Sequence, residues 1–304
     1  MAQTVEIIDV TKVNETVKAA VERTTQWSGK VQPYAKDIVE HYNEEAESYE
    51  EMYLTMGYHD HEKVNEIACE LIPDQATREV IEVLDMGCGT GLGGDQLFKV
   101  GGFKNIFGVD ASVEMMAKAK AKESYKQTIE LWLGKPETFP KYLRNRFQLV
   151  VCCGVLVEGH CDKKLFDEMI MAAKGRGTII IFSTRDHYLR DYGYQKRMDE
   201  LEANGTWKLA KSLLTHKYDK LGDQNLGRFK KTEIITIKSR GKMAQTVEII
   251  DVTKVNEIVK AAVERTSQWS GKVEPYAKDI VEHYNAEAES YEEMYLTIGY
   301  HDHE

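Results

Sequence analysis

The chain has 304 residues, of which 42% are hydrophobic and 30% charged, and a formal net charge of −10. No apolar run reaches the ~18 residues of a membrane helix, and the first residues lack the basic and apolar segments of a secretion signal. Because five cysteines form no CxxC pair, we expect reduced thiols rather than a metal site, in a cytoplasmic protein without membrane contact.

Acidic residues are concentrated at the two ends of the chain. Residues 1–62 carry 5 Lys/Arg and 13 Asp/Glu, residues 243–304 carry the same numbers, and residues 63–242 carry 30 basic and 24 acidic side chains. This separation predicts that an acidic lobe is attracted to a basic core, with a solvated glutamate-rich helix face as the alternative. No basic stripe with interleaved aromatic residues is present, so nucleic acid is not expected as a partner.

The two acidic ends are near-identical copies of one sequence. Aligned at an offset of 242, they differ at five positions: Thr16/Ile258, Thr25/Ser267, Gln32/Glu274, Glu44/Ala286 and Met56/Ile298. A repeat this long, with an incomplete second copy, indicates a truncated second module rather than a solenoid. We therefore divide the chain into residues 1–62, 63–242 and 243–304, and expect the last segment to be a candidate surface for homo-oligomer formation.

The first lobe is predicted to contain two amphipathic helices. The first follows the apolar spacing of residues 10–21, and Gly29 and Pro33 then interrupt the chain. The second, over residues 33–58, has apolar and aromatic residues at spacings of three and four: Tyr34, Ile38, Tyr42, Ala46, Tyr49 and Tyr53. Two such helices cannot bury these faces alone, so we expect the lobe to dock on the core as a helical cap.

From residue 80 the sequence alternates between strand and helix patterns. Strands are predicted at residues 80–87, 105–110, 128–134, 147–154 and 177–183, and helices at residues 92–100, 112–123, 163–174 and 192–203. Two strand-like segments, 207–214 and 231–239, follow. The alternation predicts an α/β fold, a Rossmann-like doubly wound sheet with helices on both faces, which binds its ligand at the carboxyl ends of the strands.

A glycine-rich turn, DMGCGTGLGG, follows the first of these strands. Gly87, Gly89 and Gly91 allow a tight turn and a close approach of the backbone to a ligand, and the next helix directs free N–H groups there. Asp110 ends the second strand, where its carboxylate can hold both hydroxyls of a ribose. The pair of features predicts a nucleoside-containing cofactor.

Two cofactors fit this pattern. Gly89-x-Gly91-x-x-Gly94, with Asp110 placed 19 residues after Gly91, satisfies the dinucleotide fingerprint of an NAD-dependent oxidoreductase. However, Asp85 precedes the first glycine, and a carboxylate there suits a cationic amino group better than a pyrophosphate. S-adenosylmethionine has both an adenosine and an amino-acid end, so we favour it, with S-adenosylhomocysteine as its product.

The segments VLDMGCGTG and GVDAS resemble motif I and the following acidic strand end of class I methyltransferases. Further segments, among them YNEEAESYEEMY, LVVCCGVLVEGHCD and STRDHY, resemble the methyltransferase-like proteins named for the Williams–Beuren region, over roughly residues 36–220. The resemblance implies a seven-stranded sheet with an antiparallel last strand and N-terminal helices folded over the cofactor.

The resemblance also implies roles for individual residues. Tyr49 matches the second tyrosine of the family's YD-x-x-A-x-x-YD pattern, while LGKPETFP after the third strand lacks the acidic residue that many of these enzymes place beside adenine. The predicted cofactor contacts are Tyr49, Asp85, Gly87, Gly89, Gly91, Asp110, Ala111, Gly134, Lys135 and Cys153.

Three residues are candidates for the chemistry. His160, just after the fourth strand, is placed to act as a general base, and a helix-start or core histidine is the structural alternative. Arg185, after the fifth strand, can bind an acidic acceptor or form a surface ion pair, and Tyr49 can shape the pocket or belong to a packing stripe. We therefore expect in-line methyl transfer to a small-molecule acceptor; the alternative is an assembly protein that keeps the fold and oligomerises through the duplicated cap.

Overall fold

The computed structural model describes residues 36–157, 160–161, 163–220 and 231–240. The first predicted cap helix and the whole second copy, residues 243–304, lie outside the described residues. None of the described helices is long and apolar enough to cross a bilayer.

Among the described residues, four helices precede the sheet: α1 (Lys36–Glu45), α2 (Tyr49–Thr55), α3 (Asp60–Leu71) and α4 (Gln75–Val80). The prediction of one continuous helix over residues 33–58 is wrong, because the chain turns at residues 46–48. There the Ser48 hydroxyl and backbone N–H both donate to the Glu45 carbonyl, which replaces the helical pattern with a local turn. The domain boundary predicted between residues 62 and 63 falls inside α3.

The core follows the predicted alternation closely. Its elements are β1 (Glu82–Met86), α5 (Leu92–Lys99), β2 (Asn105–Asp110), α6 (Val113–Ala121), β3 (Gln127–Glu130), β4 (Leu149–Leu156), α7 (Leu165–Ala172), β5 (Arg176–Arg185), α8 (Asp186–Asp191), α9 (Tyr194–Ala203), β6 (Trp207–His216) and β7 (Lys231–Arg240). Ser112 caps α6 by accepting a hydrogen bond from the Met115 N–H.

Several core boundaries differ from the prediction by a few residues, and two of these differences have a clear local cause. The third strand ends at Glu130 rather than residue 134, since β3 is an edge strand and pairs only as far as Asp110 of β2. The predicted helix over residues 192–203 begins at Tyr194, because Gly193 adopts a left-handed conformation (φ 74°) that separates α9 from α8.

The seven strands form one mixed sheet in the order β3-β2-β1-β4-β5-β7-β6. Strands β1 to β5 pair in parallel, and β7 is antiparallel to both β5 and β6. The predicted doubly wound sheet with an antiparallel last strand is therefore confirmed. Chain order reverses between β1 and β4, so their carboxyl ends border the crevice where such sheets bind ligands.

Buried side chains cover both faces of the central strands. Leu84 and Val150 pack on the face covered by α7, whereas Val83 and Val151 pack on the opposite face with α3 and α5. This alternation is the period-two arrangement of a strand buried on both sides. It also fixes the direction of Asp85, which shares its face with Val83 rather than with Leu84.

The cap helices dock on α6 through polar contacts of the predicted sign. Glu47 and Glu50 pair with Lys118 and Lys122 at N–O distances of 2.6 and 3.0 Å. Beside them, the Ser112 hydroxyl donates to the Asn43 side-chain oxygen at 2.7 Å. In the described part of the cap, acidic side chains thus face basic side chains of the core. These contacts place α1 and α2 next to the carboxyl end of β2.

The far end of the cap is anchored separately. Asp60, which is fully buried, lies 3.7 Å from the Lys217 ammonium and accepts a hydrogen bond from the Thr232 hydroxyl at 3.3 Å. The backbone N–H of Asp219 donates to the Gly57 carbonyl at 3.1 Å. The described part of the cap is therefore attached to the core at two places, near residues 43–50 and near residues 57–60.

Candidate active site

A pocket opens at the carboxyl ends of β1, β2 and β4, beneath α1 and α2. It holds about 420 Å³ of space, including its open mouth. Its lining residues are Tyr42, Tyr49, Gly87, Gly89, Asp110, Met115, Cys153, Gly154, Val155 and His160. The structure thus brings together six predicted residues, Tyr49, Gly87, Gly89, Asp110, Cys153 and His160.

The glycine loop forms the floor of this pocket. Gly87 and Cys88 donate their backbone N–H groups to the Val109 carbonyl at 2.8 and 3.0 Å, which ties the loop to β2. A Cβ added at Gly87 would lie 2.2 Å from Val155, whereas one added at Gly89 would meet nothing within 4 Å. Gly87 is therefore required by packing, and Gly89 presents bare backbone to the open pocket.

Asp110 is held in place by the backbone on both sides of its carboxylate. One oxygen accepts the Gly89 N–H at 2.8 Å, and the other accepts the Ser112 N–H at 2.9 Å. Burial raises the pKa of Asp110, and these N–H donors oppose that effect. Because an ionised carboxylate has about four acceptor positions, each oxygen can still accept one hydroxyl. The carboxylate is thus prepared for a vicinal diol such as a ribose.

Asp85 and Gly91 lie beneath the loop, outside the pocket lining. Asp85 accepts a hydrogen bond from the Tyr125 hydroxyl at 2.7 Å, and the same hydroxyl accepts the Gly94 N–H at 3.1 Å. Burial raises the pKa of Asp85 to about 6. A Cβ at Gly91 would approach the Ala119 backbone to 2.9 Å, so this glycine permits close packing of the loop.

Tyr125 is a site-supporting residue that the sequence did not reveal. A Cβ at Gly94 would come within 2.2 Å of its ring, and one at Gly108 within 2.9 Å. The ring therefore occupies a slot lined by glycines under the loop. The glycine at position 108 within a predicted strand was the available sequence signal, because strand glycines often mark close approach.

The three remaining predicted cofactor contacts, Ala111, Gly134 and Lys135, also lie outside the pocket lining. The backbone N–H groups of Gly134 and Lys135 each donate at 2.8 Å to the buried carboxylate of Glu168 on α7. Ala111 is buried between Asp110 and the N-cap of α6. Glu168 thus fixes the loop after β3. Nothing in the sequence distinguishes it from other glutamates within helices, so this role was not predictable.

The roof of the pocket is formed by tyrosines of the cap. The Tyr42 hydroxyl lies 2.6 Å from Nε2 of His160, and the two rings are 5.4 Å apart. The Tyr49 ring lies 6.1 Å from Tyr42 and 4.4 Å from Tyr53. Burial raises the pKa of Tyr49 well above its ordinary value, so it is neutral at physiological pH. Tyr42 belongs to the stripe noted in the sequence, although its contact with His160 did not follow from it.

Two further side chains differ in their relation to the pocket. Cys153 lines it, and burial raises the pKa of its thiol well above the ordinary value. Arg185 is buried at the end of β5, with its guanidinium 5.7 Å from the Tyr188 ring, and is not among the lining residues. The surface ion pair considered for Arg185 is therefore wrong, because the side chain is not at the surface.

Residues 83–177 match a methyltransferase domain. The match runs from β1 to β5 and contains the glycine loop, Asp110 and His160. The predicted methyltransferase is thereby confirmed at the level of the domain. No match is found among curated protein sequences.

Solved structures with a similar fold include the [4+2]-cyclase SpnF, at 12% identity and a TM-score of 0.50, covering 69% of this chain and 97% of that one. Magnesium protoporphyrin IX methyltransferase ChlM from Synechocystis PCC 6803, with bound SAM, has 13% identity and a TM-score of 0.44, covering 75% of this chain and 99% of that one. N-methyltransferase NodS from Bradyrhizobium japonicum WM9, in complex with S-adenosyl-L-homocysteine, has 14% identity and a TM-score of 0.42, covering 57% and 86%. The likeness to SpnF concerns the fold alone.

Proposed function

We propose that this chain is an S-adenosylmethionine-dependent methyltransferase that acts on a small-molecule acceptor beneath its N-terminal cap. The observation that carries the proposal is the shared pocket of the Gly89 backbone, the Asp110 carboxylate and His160. A floor suited to a nucleoside and the imidazole of His160 thus face the same pocket. The motifs quoted above favour a relative of the Williams–Beuren-region family.

The described residues suit the two ends of the cofactor. Asp110 would hold the ribose hydroxyls through its remaining acceptor positions, and the open backbone at Gly89 would receive the methionine end. Tyr49 and Cys153 would contact it from the cap and from β4. When bound, S-adenosylmethionine supplies an activated methyl group.

The predicted contacts outside the lining would act from behind it. Asp85 would steady the loop through Tyr125, and Gly91 would keep the loop close to α6. Gly134 and Lys135 would shape the adenine side through their bonds to Glu168. The direct contact of Asp85 with an amino group stays a prediction.

The chain's own contribution to methyl transfer is positioning, shielding and proton acceptance. The cap would hold the acceptor near the methyl group and exclude water, which lowers the barrier of a displacement reaction. His160 would accept a proton at Nε2 from acceptors that must lose one. Arg185 lies outside the lining, and its contact with an acidic acceptor stays a prediction.

Calorimetric titration of S-adenosylhomocysteine into the full chain tests the proposal. We expect micromolar binding at one site per chain, and no comparable heat from NAD in a parallel titration. Binding of NAD alone would favour an oxidoreductase, and binding of neither ligand would contradict the proposed activity.

One observation favours the second candidate, an assembly protein that keeps this fold. Five described cap residues whose side chains contact the core recur in the second copy, at an offset of 242: Tyr42, Asn43, Glu47, Glu50 and Asp60 correspond to Tyr284, Asn285, Glu289, Glu292 and Asp302. Of the two described positions that differ, Glu44 is exposed, and buried Met56 is replaced by the apolar Ile298. The second copy therefore retains the chemistry for docking on a core of another molecule.

A further inference from the structure

Tyr42 and His160 form a close pair across the mouth of the pocket. They are 118 positions apart in sequence, one on the cap helix α1 and one after β4, and their hydroxyl and Nε2 atoms are 2.6 Å apart. Both residues also line the pocket. The ring nitrogen of His160 that Tyr42 engages therefore borders the space where an acceptor would bind.

The direction of this hydrogen bond depends on the tautomer of His160. A phenol is a strong O–H donor that keeps its proton at neutral pH, and a neutral imidazole has one acceptor nitrogen and one N–H. In the Nδ1–H tautomer the Tyr42 hydroxyl donates and Nε2 accepts, whereas in the Nε2–H tautomer the roles are reversed. Because the phenol is the stronger donor, it favours the first arrangement, in which Nε2 is the basic nitrogen and an acceptor reaches it by displacing the Tyr42 hydroxyl.

Asn43, the residue after Tyr42, fixes the position of helix α1 on the core. The Ser112 hydroxyl donates to Asn43 at 2.7 Å, and the Ser112 backbone N–H donates to Asp110 at 2.9 Å. Adjacent cap residues thus reach the histidine on one side of the pocket and the loop that holds Asp110 on the other. The position of Tyr42 is tied to the proposed cofactor site.

We propose that Tyr42 is a positioning residue for His160, which fixes its Nδ1–H tautomer and keeps the basic Nε2 at the pocket. The proposal rests on the proposed function for its purpose, because a base is needed only where an acceptor loses a proton. The contact itself does not depend on cofactor binding. A docked cap is then a condition for a correctly oriented base, and an acceptor is deprotonated only beneath the closed roof.

Histidine side-chain NMR of the full chain tests this assignment without an acceptor. Long-range ¹H–¹⁵N spectra are recorded at about pH 8, above the ordinary imidazole pKa of ~6.5, and the His160 signals are identified by their loss in His160→Gln. We expect an unprotonated Nε2 and a protonated Nδ1 in the wild type. In Tyr42→Phe, which keeps the ring, we expect the proton to move to Nε2 or to exchange between both nitrogens.

Tyr218→Phe is the matched control, because it removes a buried hydroxyl that makes no hydrogen bond among the described residues. It should leave the His160 signals unchanged. An Nε2–H tautomer in the wild type would overturn the proposal even if Tyr42→Phe failed to fold, as would identical tautomers in the wild type and Tyr42→Phe. Titration of S-adenosylhomocysteine reports on the proposed function separately, so failure of one does not imply failure of the other.

Discussion

At the scale of single residues, Asp110 is the side chain of the candidate site whose orientation is fixed most clearly. Its oxygens already accept the N–H groups of Gly89 and Ser112, so a ligand meets a carboxylate whose orientation is fixed before binding. Such preorganisation reduces the ordering cost of binding. Replacing this carboxylate should therefore lower ligand affinity by more than the loss of one hydrogen-bonding group elsewhere would.

Asp110→Asn should weaken S-adenosylhomocysteine binding tenfold or more, because the amide nitrogen cannot accept a ribose hydroxyl. Calorimetry measures the loss, and a thermal melt checks that the loop still folds. Glu66→Gln, which alters an exposed carboxylate paired with Lys63, serves as the control and should bind as the wild type does. Equal affinity of Asp110→Asn and the wild type would reject the ribose assignment.

Asp85 makes a separate prediction about pH. Its pKa rises from the ordinary aspartate value of 3.8 to about 6 in the folded protein because the carboxylate is buried. A group with a raised folded-state pKa contributes stability below its unfolded pKa, and that contribution is lost as pH rises through about 6. The difference between the two pKa values corresponds to at most about 3 kcal/mol of folding stability.

We therefore expect the unfolding free energy of the wild type to fall relative to that of Asp85→Asn as the pH rises from 4 to 7. Urea denaturation at several pH values measures the difference between the two proteins. A difference that does not change with pH across this range would show that Asp85 titrates normally in the folded state.

At the scale of elements, the cap is held on α6 by charge. The pairs Glu47–Lys118 and Glu50–Lys122 are partly exposed, and pairs of this kind contribute ~0.2–1 kcal/mol each. Their role is thus orientation of α1 and α2 rather than bulk stability. Because the cap supplies Tyr42 and Tyr49 to the pocket, its orientation and ligand affinity should be linked.

Lys122→Glu should weaken S-adenosylhomocysteine binding by up to about fivefold at low salt, because it replaces an attraction to Glu50 by repulsion. The effect should shrink at high salt, where exposed charges are screened. The double variant Lys122→Glu/Glu50→Lys restores the pair with exchanged signs and should recover affinity. If the double variant binds no better than the single one, the pair does not orient the cap.

At the scale of the whole molecule, the second copy of the cap is the feature that distinguishes the two candidate functions experimentally. Its contact residues recur in residues 243–304, so the second copy has the side chains needed for docking on another chain. A heterologous contact of this type builds open, head-to-tail assemblies.

Deleting residues 243–304 should leave S-adenosylhomocysteine affinity unchanged if the first cap serves the pocket. Light scattering over a range of concentrations should show larger species for the full chain than for residues 1–242. A full chain that stays monomeric at all concentrations would contradict assembly through the second copy, without bearing on the enzymatic proposal.

The fold and the floor of the site were predictable from the sequence because they depend on local patterns. Strand and helix periodicity indicated the alternating elements, and parallel strands bring their carboxyl ends to one edge. Gly87, Gly89 and Asp110 each follow or end a strand at that edge. Their convergence therefore follows from topology alone, before any side-chain packing is known.

Only the tertiary structure decided which side chains stand behind the floor and which meet above it. Asp85 points to the sheet face that holds Tyr125, because neighbouring residues of a strand point to opposite faces. The pairing of Tyr42 with His160 depends on where α1 docks, and that position is set by contacts with α6. The sequence by itself thus determined the sheet and the edge that we propose binds a nucleoside. The roof over that edge was decided by packing between segments far apart in the chain, which local periodicity does not encode.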